Sequence, residues 1–332
     1  MKRLFFNVCL GCMLFSIVAF AQKPELKFNK DKKFKIVQFT DTHIKPGVAA
    51  SDVVFSTVNK VLDAEKPDLV VLTGDIVTGE PVQKGWDAIT QLFIQHKIPF
   101  ATVFGNHDDE HDMTREQLAT MIEKLPYSLM VGKAKQVSGY GNYVLEISDS
   151  EGKNAAEILY LMDSNAYSKI KGVDGYNWFQ NDQIQWYRDQ SEKLKRKNDG
   201  KTLPALAFFH IPLPEYTVAY KNEKFPAIGV RLENEASPKL NSGMFTAMLE
   251  SGDVAATFVG HDHINDYVAY LYGVALCYGR FTGGKTTYCE LPNGGRIIEL
   301  TEGQRSFKTW IRTGDGEVLL PVNFPEDLIP KK

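Results

Sequence analysis

Cysteine is scarce in this sequence of 332 residues. Two of the four cysteines, Cys9 and Cys12, lie in an apolar N-terminal segment, and only Cys277 and Cys289 occur in the rest of the chain. No C-x-x-C pair is found outside the N-terminal segment, which argues against thiolate zinc sites and thioredoxin-type chemistry. In an oxidising compartment Cys277 and Cys289 would either pair across a hairpin or stay as two buried thiols, and both outcomes remain open.

Runs of basic residues are also absent. Lysine and arginine total 38 against 41 aspartates and glutamates, which gives a net charge of −3. Removal of the N-terminal segment takes away Lys2 and Arg3 and leaves a net charge of −5. A mildly acidic chain without basic clusters is poorly suited to nucleic acid or to an anionic membrane surface, so we expect neither as a partner.

Long hydrophobic runs are missing except at the N-terminus. There, LFFNVCLGCMLFSIVAF follows the basic Lys2 and Arg3 and ends in A-F-A before Gln22, the pattern of a secretory signal peptide. We predict a signal peptide over 1–21, a single domain over 22–332, and a periplasmic or secreted protein with no stable membrane anchor. A retained anchor is the alternative, although the run falls short of about 20 residues. A lipoprotein signal ending at Cys12 is disfavoured because Cys9 stands where a branched aliphatic residue is expected.

The rest of the chain has ordinary globular composition, with 43% hydrophobic and 24% charged residues. Five short apolar runs, each typical of a strand buried on both faces, lead directly into polar clusters. These are FKIVQF before 40–43, DLVVL before 73–75, IPFATVF before 105–108, PALAFF before His210, and VAATFV before 260–263. Amphipathic segments predict helices over 51–65, 83–97, 114–125, 179–197 and 241–250, the last with an Asn241-Ser242 cap. Further strands, among them RIIEL and FKTWIR as a late hairpin, complete a predicted α/β fold.

Each of these five strands ends in a residue that can bind metal. The set contains four histidines, two aspartates and one asparagine: Asp41, His43, Asp75, Asn106, His210, His261 and His263. Ligands of open α/β sheets gather beyond the carboxyl ends of the strands, so we expect these side chains to meet at the rim of one sheet. Imidazole with hard oxygen donors suits Mn²⁺, Fe or Zn²⁺. Seven donors are too many for one ion, which favours two divalent metal ions that share a bridging carboxylate.

Taken singly, the motifs have ordinary structural explanations. A post-strand aspartate such as Asp75 often caps a helix, His210 could be a core histidine, and Asn106 could be a turn residue. The order of the five motifs is what makes coincidence a poor explanation. D-x-H, G-D, G-N-H-D, a lone histidine and G-H-x-H, from Asp41 to His263, resemble the calcineurin-like metallophosphoesterase superfamily. The resemblance implies a four-layer α/β/β/α sandwich.

The same resemblance implies a role for each motif residue. Asp41, His43 and His263 would bind the first metal, Asn106, His210 and His261 the second, and Asp75 would bridge the two. His107 would not be a ligand; it would protonate the leaving oxygen or stabilise the transition state, and Asp108 would orient it. The single domain over 22–332 would then be a phosphoesterase that cleaves a phosphate ester by attack of a metal-bridging hydroxide.

Other stretches resemble the purple acid phosphatase-like branch, namely FFHIPLPEY, NSGMF and YGRFTGG. True purple acid phosphatases carry a tyrosine ligand in G-D-x-x-Y, and here that position is Thr78. We therefore predict a colourless protein and disfavour a ferric site. Lys45 and Arg280 are candidate contacts to the phosphate oxygens, with a solvated lysine and a structural arginine as the alternatives.

A small-molecule phosphomonoester is the predicted substrate. A phosphodiester, such as a cyclic nucleotide or a lipid headgroup, is the second hypothesis, because the pocket walls over 126–178 and 211–240 decide between ester types. A non-catalytic metal-binding scaffold is the third, although such a protein would be expected to have lost ligands. The sequence leaves the oligomeric state undetermined.

Overall fold

A computed structural model describes residues 24–330, so the predicted signal peptide over 1–21 lies outside the described residues. Two six-stranded mixed sheets form the centre of the molecule. The first contains β1 (Lys33–Phe39), β2 (Leu69–Thr73), β3 (Phe100–Val103), β10 (Gly294–Thr301), β11 (Phe307–Thr313) and β12 (Val318–Phe324). The second contains β4 (Tyr143–Ser148), β5 (Ala155–Leu161), β6 (Ala205–Phe208), β7 (Val254–Val259), β8 (Val268–Leu271) and β9 (Val274–Tyr278).

Each sheet combines a parallel section with antiparallel strands. In the order β12-β11-β10-β1-β2-β3, strands β1 to β3 are parallel and the late strands run antiparallel to their neighbours. In the order β4-β5-β6-β7-β9-β8, strands β5, β6, β7 and β9 are parallel. The predicted βαβ units and the RIIEL and FKTWIR hairpin are confirmed. Strands β8, β9 and β12 were not predicted.

Six helices cover the outer faces of the two sheets. They are α1 (Asp52–Glu65), α2 (Val82–His96), α3 (Arg115–Ile122), α4 (Asn181–Lys197), α5 (Glu215–Tyr220) and α6 (Met244–Ser251). Apolar residues of α1 to α3 join the core around the first sheet, and those of α4 to α6 join a second core on the outer side of the second sheet. The predicted four-layer α/β/β/α sandwich is confirmed. Among the described residues, no helix combines the length and the apolar character that crossing a membrane requires.

Two helix predictions need correction. Helix α5 was missed because six residues are too few to display a helical period. The Asn241-Ser242 cap is wrong: α6 begins at Met244, and Gly243 occupies the N-cap position with a φ of 85°. The Asn241 side chain instead accepts a hydrogen bond from the Gly243 amide at 2.9 Å, closing a turn before the helix.

Strand β6 shows why the apolar runs are continuous. Leu206 and Phe208 pack into the core between the sheets, whereas Ala205 and Ala207 face the helices of the second core. A strand covered on both faces has no solvent side, so alternation of polar and apolar residues disappears. Full burial of a large side chain such as Phe208 contributes about 1.5–3 kcal/mol.

Candidate metal centre

The seven candidate ligands follow strands that belong to both sheets. Asp41 and His43 follow β1, and Asp75 and Asn106 follow β2 and β3 of the first sheet. His210 follows β6, and His261 and His263 follow β7 of the second sheet. The expected rim of a single sheet is therefore wrong. The ligands meet because the two sheets pack face to face with the carboxyl ends of these five parallel strands at the same end of the sandwich.

Buried hydrogen bonds join the two sheets at this end. The Gln38 side-chain amide, on β1, donates to Thr73 Oγ1 at 2.9 Å and to the Val259 carbonyl oxygen of the other sheet at 3.0 Å. His210 Nδ1 lies 2.7 Å from the Thr73 carbonyl oxygen, again across the sheets. Sequence analysis did not single out Gln38 or Thr73. Each is a polar residue within an otherwise apolar strand. A polar side chain in a buried strand needs a hydrogen-bond partner, and this pattern could have identified both residues.

The first cluster consists of Asp41, His43 and His263. One ligand atom from each lies within 4.8 Å of the others, and all three side chains are buried. His43 Nε2 is 3.1 Å from His263 Nε2, and His263 Nε2 is 3.6 Å from Asp41 Oδ1. Asp41 Oδ2 is already used by Thr40 Oγ1 and by the His261 amide, so Oδ1 is the oxygen left to face the histidines.

The second cluster consists of Asp75, His210 and His261, also buried and within 4.8 Å. His210 Nε2 lies 3.3 Å from Asp75 Oδ2 and 3.2 Å from His261 Nδ1. The His210 Nδ1–H donates to a backbone carbonyl, so Nε2 is the nitrogen that faces the cluster and would bind a cation. His263 is arranged in the same way, since its Nδ1 lies 2.8 Å from the Tyr288 carbonyl oxygen.

Asp75 stands between the two clusters. Its Oδ2 is 3.3 Å from His210 Nε2 of the second cluster and 3.8 Å from His43 Nε2 of the first. Its Oδ1 accepts a hydrogen bond from the His107 amide at 2.8 Å, which fixes the orientation of the carboxylate. The geometry is that of a carboxylate shared by two sites.

The protonation states of the imidazoles differ within the site. Burial lowers the pKa of His43 to about 4 and the pKa of His261 to about 3, so both rings are neutral at pH 7 and can bind a cation. Burial also opposes ionisation of His210, but the Asp75 carboxylate outweighs it and raises the pKa of His210 to about 10. A cation at His210 must displace that proton, so metal binding releases it.

Three buried atoms of the site have no hydrogen-bond partner among the described residues: Asp41 Oδ1, Asn106 Oδ1 and His261 Nε2. A buried polar atom without a partner costs about 1–3 kcal/mol, so its presence in a folded protein requires an explanation. The two unsatisfied oxygens belong to residues implied as ligands of different ions, and Asn106 keeps its amide nitrogen for Tyr167. The donor set, hard oxygen with imidazole, fits a pair of divalent cations.

Four of the ligands lie on strained backbone. Asp41, His43, Asp75 and His261 have φ values of 53°, 43°, 53° and 80°, in the left-handed region that residues with a side chain rarely adopt. Such strain concentrates at functional sites, where the surrounding structure enforces it. Gly260 allows this close turn by its size, since a β-carbon there would overlap Thr40 Oγ1 and approach Asp41 Oδ2 at 2.5 Å.

His107 lies at the outer edge of the site with its side chain 40% exposed, and its ring centre is 5.9 Å from that of His43. The implied role of Asp108 needs correction. The Asp108 carboxylate accepts hydrogen bonds from the amides of Asp75, Ile76 and Gly105 and makes no hydrogen bond to the His107 ring. Glu110 holds that ring instead, with its Oε2 2.6 Å from His107 Nδ1. Asp108 is buried in the turn because three backbone donors need an acceptor there.

A family model described as Calcineurin-like phosphoesterase matches residues 34–265. That stretch covers more than half of the chain and contains all seven candidate ligands and His107. The chain belongs to the calcineurin-like phosphoesterase family.

Relatives of this family member bear on the branch within the family. "Probable inactive purple acid phosphatase 29" of Arabidopsis thaliana is 36% identical over 94% of this chain and 91% of the relative. "Phosphatase DCR2" of Saccharomyces cerevisiae is 34% identical and covers 91% of this chain and 59% of the relative. The expected resemblance to the purple acid phosphatase-like branch is confirmed.

A solved structure supports the fold. The dimetal phosphatase from Danio rerio has a TM-score of 0.61 and covers 87% of this chain and 98% of that chain. At 12% identity the likeness concerns the fold alone.

The two candidate substrate contacts of this family member have different outcomes. Arg280 is 2% exposed, pairs with the Asp266 carboxylate, and donates to the Pro292 carbonyl oxygen at 2.9 Å. Burial and the pairing with Asp266 favour the alternative, a structural arginine, over a contact with phosphate. Lys45 is partly exposed in the loop after His43, and no hydrogen bond or ion pair in the described part of the chain holds its ammonium group. Its role stays a prediction.

The polar residues between and after the G-H-x-H histidines have a structural use. Asp262 accepts from the Ala236 amide, Asn265 from the Leu232 amide, and Asp266 from the Val230 amide. They hold the strap over 230–236 beside the metal centre.

Aromatic residues around the centre were not predicted. Tyr288 stacks on His263 with ring centres 4.3 Å apart, and Tyr176 meets His261 edge to face at 4.3 Å. Tyr167 stacks on Tyr176 at 5.7 Å. Thr78, which occupies the position of the tyrosine ligand of purple acid phosphatases, is buried. The colourless protein stays a prediction.

Cys277 and Cys289 are free thiols. Of the two outcomes left open, the structure has the unpaired one. Burial raises the pKa of the Cys277 thiol to about 12, and the Cys289 thiol lies 3.4 Å from the His263 carbonyl oxygen. Neither is therefore a reactive thiolate at neutral pH.

Proposed function

We propose that this protein is an exported phosphatase that hydrolyses small-molecule phosphomonoesters with two divalent metal ions, Mn, Fe or Zn. The observation that carries the proposal is the shared Asp75 carboxylate, 3.3 Å from His210 Nε2 and 3.8 Å from His43 Nε2. A carboxylate between two buried donor clusters is the arrangement that a binuclear centre needs.

The chain would hold the ions with residues from both sheets. The first ion would have Asp41, His43 and His263, the second Asn106, His210 and His261, with Asp75 common to both. When bound, the two cations would neutralise charge on the phosphoryl oxygens and activate water for attack on phosphorus. Burial of these side chains keeps bulk water out, which strengthens every electrostatic interaction within the site.

His107 would hold the proton for the leaving oxygen. Its Nδ1 is directed to Glu110, so Nε2 is the nitrogen free to deliver a proton to a departing alkoxide. The His107 amide is anchored on Asp75, which places the donor next to the shared carboxylate and hence next to the phosphoryl group whose oxygens the cations would bind. Partial exposure gives the ester room to enter beside the ring.

A non-catalytic scaffold is the competing hypothesis, and the word inactive in the names of three relatives from Arabidopsis thaliana raises it for this family branch. This chain keeps all seven donors and His107 in one site, and it keeps buried oxygens without protein partners. In a protein that had lost catalysis, we would expect at least some of these residues, or the strained backbone conformations that carry them, to have been lost.

The first experiment measures metal content and turnover on the same preparation. Purified protein reconstituted separately with Mn²⁺, Zn²⁺ and Fe²⁺ should contain about two ions per chain and hydrolyse p-nitrophenyl phosphate. If the protein contains two ions but hydrolyses none of a panel of esters, the non-catalytic scaffold is the correct hypothesis. Protein with no bound metal would remove the proposed mechanism altogether.

A phosphodiester substrate is the second candidate, supported by a cleft of about 480 Å³ beside Asn106. Tyr167, Tyr140 and Lys169 line this cleft, which offers space for a second ester substituent. Assays of bis-p-nitrophenyl phosphate and the monoester under the same conditions separate the two. A higher kcat/KM for the diester would replace the proposed monoester substrate.

Export rests on the N-terminal pattern of Lys2 and Arg3, the apolar run and the A-F-A motif. Expression of the full chain followed by cell fractionation should recover a protein that begins at Gln22 outside the cytoplasm. An uncleaved chain in the membrane fraction would favour the retained anchor instead.

A further inference from the structure

The loop after β3 contains an acid that the established motif does not use. Glu110 lies three residues after His107, and its Oε2 is 2.6 Å from His107 Nδ1. A bond of this length between a ring N–H and a carboxylate is a charge-assisted hydrogen bond, stronger and more directional than one between neutral groups. Both side chains are about two-fifths exposed, at 40% and 42%.

The other oxygen of Glu110 is held from a different part of the chain. The Tyr167 hydroxyl donates to Glu110 Oε1 at 3.2 Å, and the Asn106 side-chain amide donates to the Tyr167 oxygen at 3.0 Å. The direction of donation is therefore continuous, from Asn106 through Tyr167 to Glu110. His107 donates to the same carboxylate from the other side.

These bonds close a ring of side chains with the backbone between Asn106 and His107. Asn106 keeps its Oδ1 free because its amide nitrogen is engaged by Tyr167. Tyr167 belongs to the hairpin over 166–177. Its ring stacks on Tyr176, and the Tyr176 ring in turn packs against His261. The proton donor and a donor of the second cluster thus share one hydrogen-bonded support.

We propose that Glu110 is a positioning residue for His107, and that Tyr167 ties Glu110 to Asn106 so that the proton donor and the second metal site are held as one unit. The inference rests on the proposed phosphatase function. His107 is exposed enough to rotate away from the leaving oxygen, and a misplacement of about 1 Å is enough to reduce a catalysed rate by two orders of magnitude. Glu110 prevents this rotation by fixing Nδ1, which directs Nε2 into the site.

The test compares esters with easy and difficult leaving groups. A p-nitrophenolate departs without a proton, whereas the alkoxide of glycerol 2-phosphate requires one. Glu110→Ala should lower kcat for glycerol 2-phosphate by about tenfold or more and leave kcat for p-nitrophenyl phosphate nearly unchanged, because only the first depends on a well-placed donor. KM and the content of about two ions per chain should stay at the wild-type values.

Conservative and double variants separate positioning from structure. In Glu110→Gln the amide oxygen still accepts the Nδ1 hydrogen, so this variant should recover part of the loss on glycerol 2-phosphate. Tyr167→Phe should cause a smaller loss with the same preference for the alkyl ester. The double variant His107→Ala with Glu110→Ala should be no slower than His107→Ala alone, because Glu110 acts only through His107.

His111→Gln is the matched control, since His111 follows Glu110 directly and has no hydrogen-bond or ion-pair partner in the described residues. It should behave as wild type with both esters. A wild-type protein that turns over both esters, with Glu110→Ala equal to it on both, overturns the inference and leaves the function standing. Equal losses on both esters, or loss of metal, show a structural role and overturn it as well. Wild-type protein that carries two ions and hydrolyses neither ester overturns both.

Discussion

The inner and outer halves of the metal centre are built differently. The inner half consists of the seven donors, all buried, and four of them lie on strained backbone. The outer half consists of His107, Glu110 and Tyr167, which are 40%, 42% and 42% exposed and are held mainly by one another. Cation binding requires donors held in fixed positions, whereas binding of an ester requires an accessible surface from which water can be displaced. The following experiments test whether this division is real.

The largest effect is expected in the inner half, at Asp75. Asp75→Ala removes the donor common to both clusters, so both ions should be lost and hydrolysis should fall by at least about 10³-fold. Metal analysis and turnover of the purified variant measure this, with exposed Asp63→Ala as the control. Retention of two tightly bound ions would show that the clusters do not share this carboxylate.

The outer half should separate catalysis from metal binding. His107→Ala should keep about two ions per chain while kcat for an alkyl phosphate falls by about 10²–10⁴-fold, the usual contribution of a general acid. Metal content and kcat are determined on one sample. A wild-type rate would mean that the outer half takes no part in the chemistry, and loss of metal would mean that the two halves are not separable.

Substitution of Arg280 tests whether this buried side chain contacts the phosphate of the substrate. Because Arg280 is buried against Asp266, Arg280→Ala leaves a carboxylate without its partner and should cost about 3–5 kcal/mol of the free energy of unfolding. KM for p-nitrophenyl phosphate should be unchanged in the protein that remains folded. Denaturant unfolding gives the first quantity, and a raised KM with normal stability would restore the predicted phosphate contact.

The smallest expected effect is steric, at the turn that carries His261 and His263. Gly260→Ala places a methyl group against Thr40 and Asp41, and forced overpacking of this kind costs about 1–3 kcal/mol. Thermal unfolding with and without added Zn²⁺ should show a lower Tm and a smaller stabilisation by metal than in wild type, because the Asp41 donor is displaced. An unchanged metal effect would show that the turn can shift without cost to the site.

Much of the fold was predictable because its signals are local. The apolar runs that became β1, β2, β3, β6 and β7 are short, β-branched and bounded by polar clusters, and their helices carry clear amphipathic patterns. Helix α5 was missed because six residues give too weak a helical period. Strands β8, β9 and β12 were missed because their identity depends on the neighbours that they pair with. The cap at α6 was misplaced because Gly243 is selected by its φ, which the side-chain pattern does not display.

The features of the metal centre also separate into those that local sequence signals predict and those that they do not. Its seven donors were identifiable, since residue type and position after a strand are written in the chain and match an ordered family pattern. Two features were not: the partition of the donors between two sheets, and Glu110 rather than Asp108 as the partner of His107. Each depends on a through-space direction, and adjacent residues such as His107 and Asp108 point to different places once the turn is formed.

By itself, then, the sequence determined which residues can bind cations, in what order they follow the strands, and which layers the chain forms. Only the tertiary structure decided how the donors divide between the two sheets so that Asp75 lies between the donor groups, and which side chains complete the outer edge. The reason is physical: strand and helix formation depend mainly on neighbours along the chain, whereas the direction of the Asp41 side chain on its strained turn is fixed by a hydrogen bond from the His261 amide, 220 positions away.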